Sequence, residues 1–295
     1  MRSMGSSDHG LIGVAGATGA VGGRVARALA GRGLEQRLIV RDPARAPSLE
    51  RASVALAEYR DGAAMRAALE GVRTLLLVSA AESADRIAEH ESAVDAAAAA
   101  GVERVVYTSF LAAAPDAVFT LGRHHWATEE RIRHSGMAFT FLRDSLYADF
   151  VPLMAGADGV IRGPAGDGAV ALVGRDDVAR VAERALLDPA HAGATYRLTG
   201  PEALTLDQAA EVLSRVAGRP VTYLRETVEE AYASRSHDGA PAWEVEGWVT
   251  SYTAIAAGEV AAVSRDVEVV TGRPPESLET VLRTHPEVLM QLGSS

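Results

Sequence analysis

With 295 residues, 48% of them hydrophobic, the chain can bury a substantial core as one large domain, or as one domain plus a smaller lobe. Its 29 basic and 39 acidic residues leave a net charge of −10, which argues against nucleic acid or an anionic membrane as the main partner. It contains no Cys, Lys or Asn, which excludes disulfides, thiolate nucleophiles, Cys-ligated metals, Schiff-base chemistry and a P-loop lysine.

In chain order, the opening MRSMGSSDHG has no apolar core and predicts a loose, flexible tail over residues 1–9 rather than a signal peptide. No apolar run is long enough to span a bilayer, so a cytoplasmic location is the default expectation. The stretch Leu11–Gly23, LIGVAGATGAVGG, then joins an apolar run to a helix through a glycine-spaced turn. Leu11, Ile12 and Val14 suit a strand buried on both faces, and Val21, Val25 and Leu29 recur at helical spacing over Ala20–Ala30. Gly16 permits a sharp turn, Gly19 leaves room for a pyrophosphate against the backbone, and Gly22 lets the helix lie close to the strand. Free N–H groups at the helix start complete an anion site. The same spacing also occurs in idle glycine-rich loops, but its position between strand and helix favours a nucleotide phosphate turn.

Further strands are expected at Arg37–Val40, Val54–Glu58, Thr74–Ser79, Arg104–Thr108 and Ala138–Leu142, with helices at Ala63–Leu69 and the alanine-rich Asp85–Ala100. Alternation of this kind predicts an α/β fold with right-handed crossovers and a doubly wound parallel sheet. Ligands bind beyond the carboxyl ends of such strands, which singles out Gly16–Gly22, Arg41, Ser79 and Thr108–Phe110. Arg41 stands where an Asp or Glu would bind the ribose of NAD. A guanidinium there suits the extra phosphate of NADP, with Arg45 able to assist and Asp42 as the counter-indication. NADPH is therefore expected in preference to NADH.

Beyond Phe150 the run Gly156–Gly168 is rich in Gly and Pro and reads as a loop or hairpin leaving the sheet. Arg175–Leu187 reads as helix, Ala194–Leu198 as strand, Thr205–Ala217 as a helix capped by Thr205, and Val221–Leu224 as strand; the last third is mostly helical. The expected organisation is a dinucleotide-binding domain over 10–155, with 170–200 returning to it, and a smaller, mostly helical substrate lobe over 156–295.

With the turn, Arg41 and the segment Tyr107–Ser109 in place, the chain resembles the atypical short-chain dehydrogenase/reductases of the NmrA-like group, especially the NAD(P)H:quinone oxidoreductase and triphenylmethane reductase branch. The matching stretches, in family order, are VAGATGAVGGRV, LIVRDPARA, LLLVSA, AAAAAGVERVVYTS, HWATEERIRHSGMAFTFLRDSLYADF and TYRLTGPEALTLDQAAEVL. The resemblance implies a Rossmann-type fold and a phosphate turn at Gly16, Thr18, Gly19, Ala20, Val21 and Gly22. It also implies an NADP-selecting Arg41, and Ser79, Thr108 and Ser109 flanking the dinucleotide. The superfamily's Tyr-x-x-x-Lys pair is not retained: aligning on Glu129 places His125 at the lysine position and Leu121 at the tyrosine position.

Hydride transfer needs orientation, exclusion of water and a means of stabilising or protonating the developing anion. His125 is one candidate donor or ribose ligand, the competing reading being that it pairs with Glu129 one turn on. Tyr147 is another candidate, or else a tyrosine packed with its hydroxyl satisfied, and Ser109 is a third. Phe110, Tyr147, Trp248 and Tyr252 are candidate substrate-pocket residues, although an apolar helical stripe such as Trp248–Tyr252 is more often core. His124 with His125, or His90 with His134, lacks a third ligand at metal spacing, so no metal is expected. The two functions in view are an NADPH-dependent reductase of a small aromatic, electron-poor substrate such as a quinone, and an NADP(H)-sensing regulatory protein without turnover. A homodimer is compatible with either.

Overall fold

The leading strand β1 (Leu11–Ala15) is buried along nearly its whole length and lies in the interior of a seven-stranded sheet. The structure, a computed structural model, describes residues 9–236 and 239–292, so all but the last residue of the expected tail over 1–9 lies outside the described residues. Around β1 the chain forms α1 (Ala20–Gly31), β2 (Gln36–Val40), β3 (Ala52–Leu56), α2 (Gly62–Ala68), β4 (Val72–Leu77), α3 (Arg86–Ala99), β5 (Arg104–Phe110), α4 (Thr120–His134) and β6 (Ala138–Asp144). After these come α5 (Val151–Met154), β7 (Val160–Gly163), β8 (Ala169–Val170), α6 (Arg175–Leu187) and β9 (Thr195–Leu198). The remaining elements are β10 (Leu204–Thr205), α7 (Leu206–Ala217), β11 (Thr222–Arg225), α8 (Val228–Ser236), α9 (Ala242–Ala256), α10 (Asp266–Thr271) and α11 (Leu278–Thr284).

The main sheet runs β3-β2-β1-β4-β5-β6-β9, and every pairing in it is parallel. Alternation along the strands explains the two helical layers. Ile12, Val14, Leu38 and Leu76 face a cluster shared with Val25 and Leu29 of α1 and Val178 and Val181 of α6. Ile39, Leu75 and Leu77 face the opposite cluster with Met65 of α2, Val94 of α3 and Ile132 of α4. This is the doubly wound Rossmann-type sheet that the pattern predicts. Two strands are displaced from expectation: β3 and β4 both begin and end two residues earlier than Val54–Glu58 and Thr74–Ser79. Continuous apolar runs carry no alternation from which to set an end.

A third apolar cluster joins Phe110, Leu111 and Phe119 to Ile161, Tyr223, Tyr252 and Leu278. The Gly156–Gly168 segment is more ordered than its composition suggests: Val160–Gly163 forms β7, which pairs in parallel with β11. Gly163 also lets the helix carrying Tyr252 lie close against β7, because a Cβ there would lie 2.3 Å from the Tyr252 ring. Among the described residues no helix is long and apolar enough to cross a membrane, and no group of three or more His, Asp or Glu side chains is placed to hold a metal ion.

The closest approach in the first crossover is between Gly22 on α1 and the carbonyl oxygen of Gly16, where an added Cβ would sit at 2.3 Å. Gly22→Ala is expected to destabilise the fold by about 1–3 kcal/mol, the usual range for overpacking against backbone that cannot yield. Urea unfolding of the variant against the parent measures it; an unchanged midpoint would show that the helix is not held against the turn.

Candidate functional site

The turn between β1 and α1 is built to expose backbone. Gly16 has φ +76°, a left-handed conformation that glycine adopts without a Cβ penalty. Gly19 occupies the N-cap position of α1 in extended conformation; no side chain caps the helix and no acidic residue stands in its first turn. By contrast, Thr205 and Gln208 close α7 with a reciprocal capping box. The leading N–H groups of α1 are thus left for an external acceptor, at the positive end of the helix. A Cβ on Gly19 would meet nothing nearer than the Gly16 oxygen at 3.2 Å, so the space in front of the turn is open.

That space is a cleft of about 380 Å³ walled by Gly16, Thr18, Gly19, Arg41, Tyr59 and Ser79, together with Ala57–Arg60 and Ala80–Ser83. Arg41 follows β2 and makes no ion pair among the described residues, whereas Arg60 is paired with Glu58 at 2.7 Å. Asp42, the counter-indication to a phosphate here, turns away from the cleft: its carboxylate accepts the Ala44 N–H at 2.9 Å and caps a short turn. Of the remaining turn residues, Val21 is buried in the core and Gly22 against the strand, so they and the exposed Ala20 can offer only backbone N–H groups. Tyr59 and the Ala80–Ser83 segment were not singled out from the sequence. Tyr59 lies three residues beyond the end of β3 and donates to the Val78 carbonyl at 2.7 Å.

Thr108 and Ser109 do not project freely into the cleft. The Thr108 hydroxyl accepts the Ser79 N–H at 2.8 Å, which ties the end of β5 to the end of β4. Ser109 is buried and donates to Glu129 at 2.6 Å, and Arg143 holds the same carboxylate with two further hydrogen bonds. Ser109 is therefore corrected from candidate catalytic residue to a member of a buried ion network. Glu129 is fully engaged there, so the alternative in which His125 pairs with Glu129 also fails.

His125 instead lies between Tyr107, 2.9 Å from Nδ1, and Arg86, 3.1 Å from Nε2. A guanidinium nitrogen can only donate, so Nε2 is the acceptor and the ring proton sits on Nδ1. Burial, reinforced by the charge of Arg86, holds the imidazole well below 6.5 and hence neutral. Its two nitrogens are committed inside the protein and it carries no spare proton. The geometry thus speaks against His125 as a proton donor.

Tyr147, just past β6, donates its hydroxyl to Asp144 at 2.8 Å beneath the Arg175 guanidinium, 4.9 Å from the ring centre. Burial pushes the Asp144 carboxyl well above its usual range, and its second oxygen has no partner among the described residues. Phe110 packs edge-on against Phe119, with ring centres 5.0 Å apart, and Tyr252 is buried over Gly163. Neither lines the cleft, and both are buried in the third apolar cluster. Trp248 on α9 is partly exposed but also stands outside the cleft lining.

The parallel sheet, the glycine turn and the uncapped helix define a dinucleotide-binding α/β protein. Residues 8–239 match the NmrA-like family, and the chain belongs to it. It is 32% identical over 93% of its length to the NAD(P)H azoreductase of Xenophilus azovorans, 98% of which is covered. Two solved structures superpose closely. The NADPH-dependent quinone oxidoreductase of Escherichia coli complexed with NADPH matches with TM-score 0.84 and 32% identity, covering 92% of this chain and 99% of the other. The Citrobacter sp. triphenylmethane reductase complexed with NADP(H) matches with TM-score 0.80, at the same identity and coverages.

His90, like His125, is held well below 6.5 by burial first and by Arg86 second. Both rings stay neutral in the folded chain but bind protons in the unfolded chain below 6.5, so their contribution to stability is complete above that pH and is lost as pH falls. The expected slope between about pH 6.5 and 5 is up to about 1.4 kcal/mol per pH unit for each histidine. His125→Gln should flatten the profile of unfolding free energy in this window; a profile parallel to the parent's would mean that His125 is charged in the fold.

Proposed function

We propose that the chain is an NADPH-dependent reductase that passes hydride to a small aromatic, electron-poor acceptor such as a quinone, with residues 10–155 and 170–200 holding the dinucleotide and the rest of 156–295 forming the substrate lobe. The observation that carries the cofactor assignment is the cleft itself: an uncapped helix start and an open Gly19 on one side, and an Arg41 without a carboxylate partner on the other. Gly16 and Gly19 leave room for the pyrophosphate, the leading N–H groups of α1 receive it, and Arg41 meets the additional phosphate through its donor fork. The bound dinucleotide supplies hydride; the protein orients it and keeps water from the transfer. The relatives' names, an azoreductase and reductases of quinones and triphenylmethane dyes, support an acceptor of this class. A cytoplasmic setting belongs to the same proposal.

The buried groups at the ends of β5 and β6 agree with it. Neither Ser109 nor His125 has a proton to give, which favours acceptors whose reduction needs little acid assistance. Tyr147 is the remaining candidate donor: it is partly exposed just past β6 and stands outside the cleft lining, and burial, reinforced by Asp144, which accepts its hydroxyl, holds the phenol well above its ordinary range, so it would act as a weak acid. Tyr147→Phe is expected to lower kcat by about 10²-fold for a ketone, within the range for a positioned acid, and to leave reduction of a cationic dye nearly unchanged. Equal losses for the two acceptors would remove Tyr147 from the proton path.

Arg41→Ala should weaken NADPH binding by about 1.5–3 kcal/mol, the range for a hydrogen-bonded charge, with little effect on NADH. Calorimetric titration with both cofactors tests this, and equal losses would overturn the NADP assignment. Steady-state oxidation of NADPH against quinones, dyes and ketones tests the reductase itself. Tight binding with no acceptor-dependent oxidation would leave an NADP(H) sensor in its place.

A further inference from the structure

The segment Ser79–Ser83 forms one wall of the cleft, and both backbone polar groups of Ala80 within it are held by side chains of α3. The Ala80 N–H donates to His90 Nε2 at 2.8 Å, and its carbonyl accepts Arg86 Nε at 3.1 Å. Because Nε2 accepts, the proton of the neutral ring is on Nδ1, which donates to the Thr128 hydroxyl at 2.8 Å; that hydroxyl in turn donates to the His124 carbonyl at 2.9 Å. On the other side Arg86 Nη2 donates to His125, which is bound to Tyr107. Two chains of hydrogen bonds, one rooted in α4 through Thr128 and the other in α4 and β5 through His125 and Tyr107, therefore converge on a single peptide of the cleft wall. Arg86 is only 2% exposed and His90 is fully buried, so neither touches a ligand.

We propose that His90 and Arg86 are positioning residues that set the cofactor-facing wall Ser79–Ser83 by clamping Ala80 at both its N–H and its carbonyl. The role of His90 is specifically that of an acceptor at Nε2: an imidazolium could not fill it, and the adjacent Arg86 charge opposes that form. This inference rests on the reading that NADPH occupies the cleft, but the clamp has a signature in the protein alone, the slow exchange of the Ala80 amide proton.

Two isosteres separate the ends of the imidazole. In His90→Gln the amide oxygen reaches the position of Nε2 and keeps the bond to Ala80. In His90→Asn the shorter amide reaches only the position of Nδ1, keeping Thr128 and releasing Ala80. The measurements are amide exchange across residues 79–83 without cofactor, NADPH dissociation constants, kcat and KM with a quinone acceptor, and thermal midpoints. The expected result is faster exchange and NADPH binding weakened by about tenfold in His90→Asn, with His90→Gln within about threefold of the parent, in line with loss of one buried hydrogen bond. Comparable melting of the two variants shows that the difference is not general destabilisation. Equal exchange and equal NADPH affinity in the two variants overturn the clamp, as does loss of thermal stability in both without a change in affinity. If the parent binds no NADPH while the exchange difference holds, the clamp stands and the cofactor reading fails.

Discussion

The approach of Gly22 to the Gly16 carbonyl is the constraint on which the site depends. No side chain fits between them, so α1 starts directly above the end of β1 with its first N–H groups turned outward. Any longer spacer would move the positive end of the helix away from the cleft and bring the turn's own side chains into the space in front of it. The parallel sheet then carries the same geometry outward: because neighbouring strands end in register, Arg41 after β2, Tyr59 after β3 and Ser79 after β4 all arrive at one edge. The cleft follows from strand ends and a helix end, and loop length contributes little to it.

A second constraint is electrostatic. One guanidinium, almost wholly buried, stands within hydrogen-bonding distance of His125 and is coupled to His90 and His124, and all three imidazoles are shifted toward the neutral form. A neutral imidazole has one donor and one acceptor, which gives His90 and His125 each a defined tautomer and their hydrogen bonds a direction. A charged ring would supply two donors and break the contact to the Ala80 N–H. Burial first, and the charge of Arg86 second, keep these rings neutral and so order their surroundings.

How far the sequence could be read differs between the two constraints for physical reasons. The turn was legible because glycine spacing, apolar period and helix period coincide over Leu11–Leu29, and Arg41 was legible because it follows a strand. The roles of Ser109 and His125 were not: hydrogen bonds such as Ser109–Glu129 and His125–Arg86 join residues 20 and 39 positions apart, and no local pattern records them. The packing of Tyr252 was equally hidden, since its neighbour Gly163 lies on a strand that the Gly- and Pro-rich composition disguised. Asp42 shows the reverse case, where a residue that looked like counter-indication was a turn cap all along.

The absence of lysine bears on both constraints. A lysine buried like Arg86 would respond to desolvation by giving up its proton, after which the neighbouring histidines could protonate instead. Arginine is pulled down by burial, yet it starts so far above neutrality that the group stays charged. The position that holds lysine in the wider superfamily is filled here by a histidine kept neutral, and the fixed cation lies one hydrogen bond further back, beside the wall of the cleft. An arrangement with its permanent charge in the frame and no mobile proton among Ser109, His125 and Arg86 suits transfer of hydride to acceptors that accept it unaided. In the reductase we propose, any demand for a proton would fall to Tyr147 beside Asp144 at the next strand end.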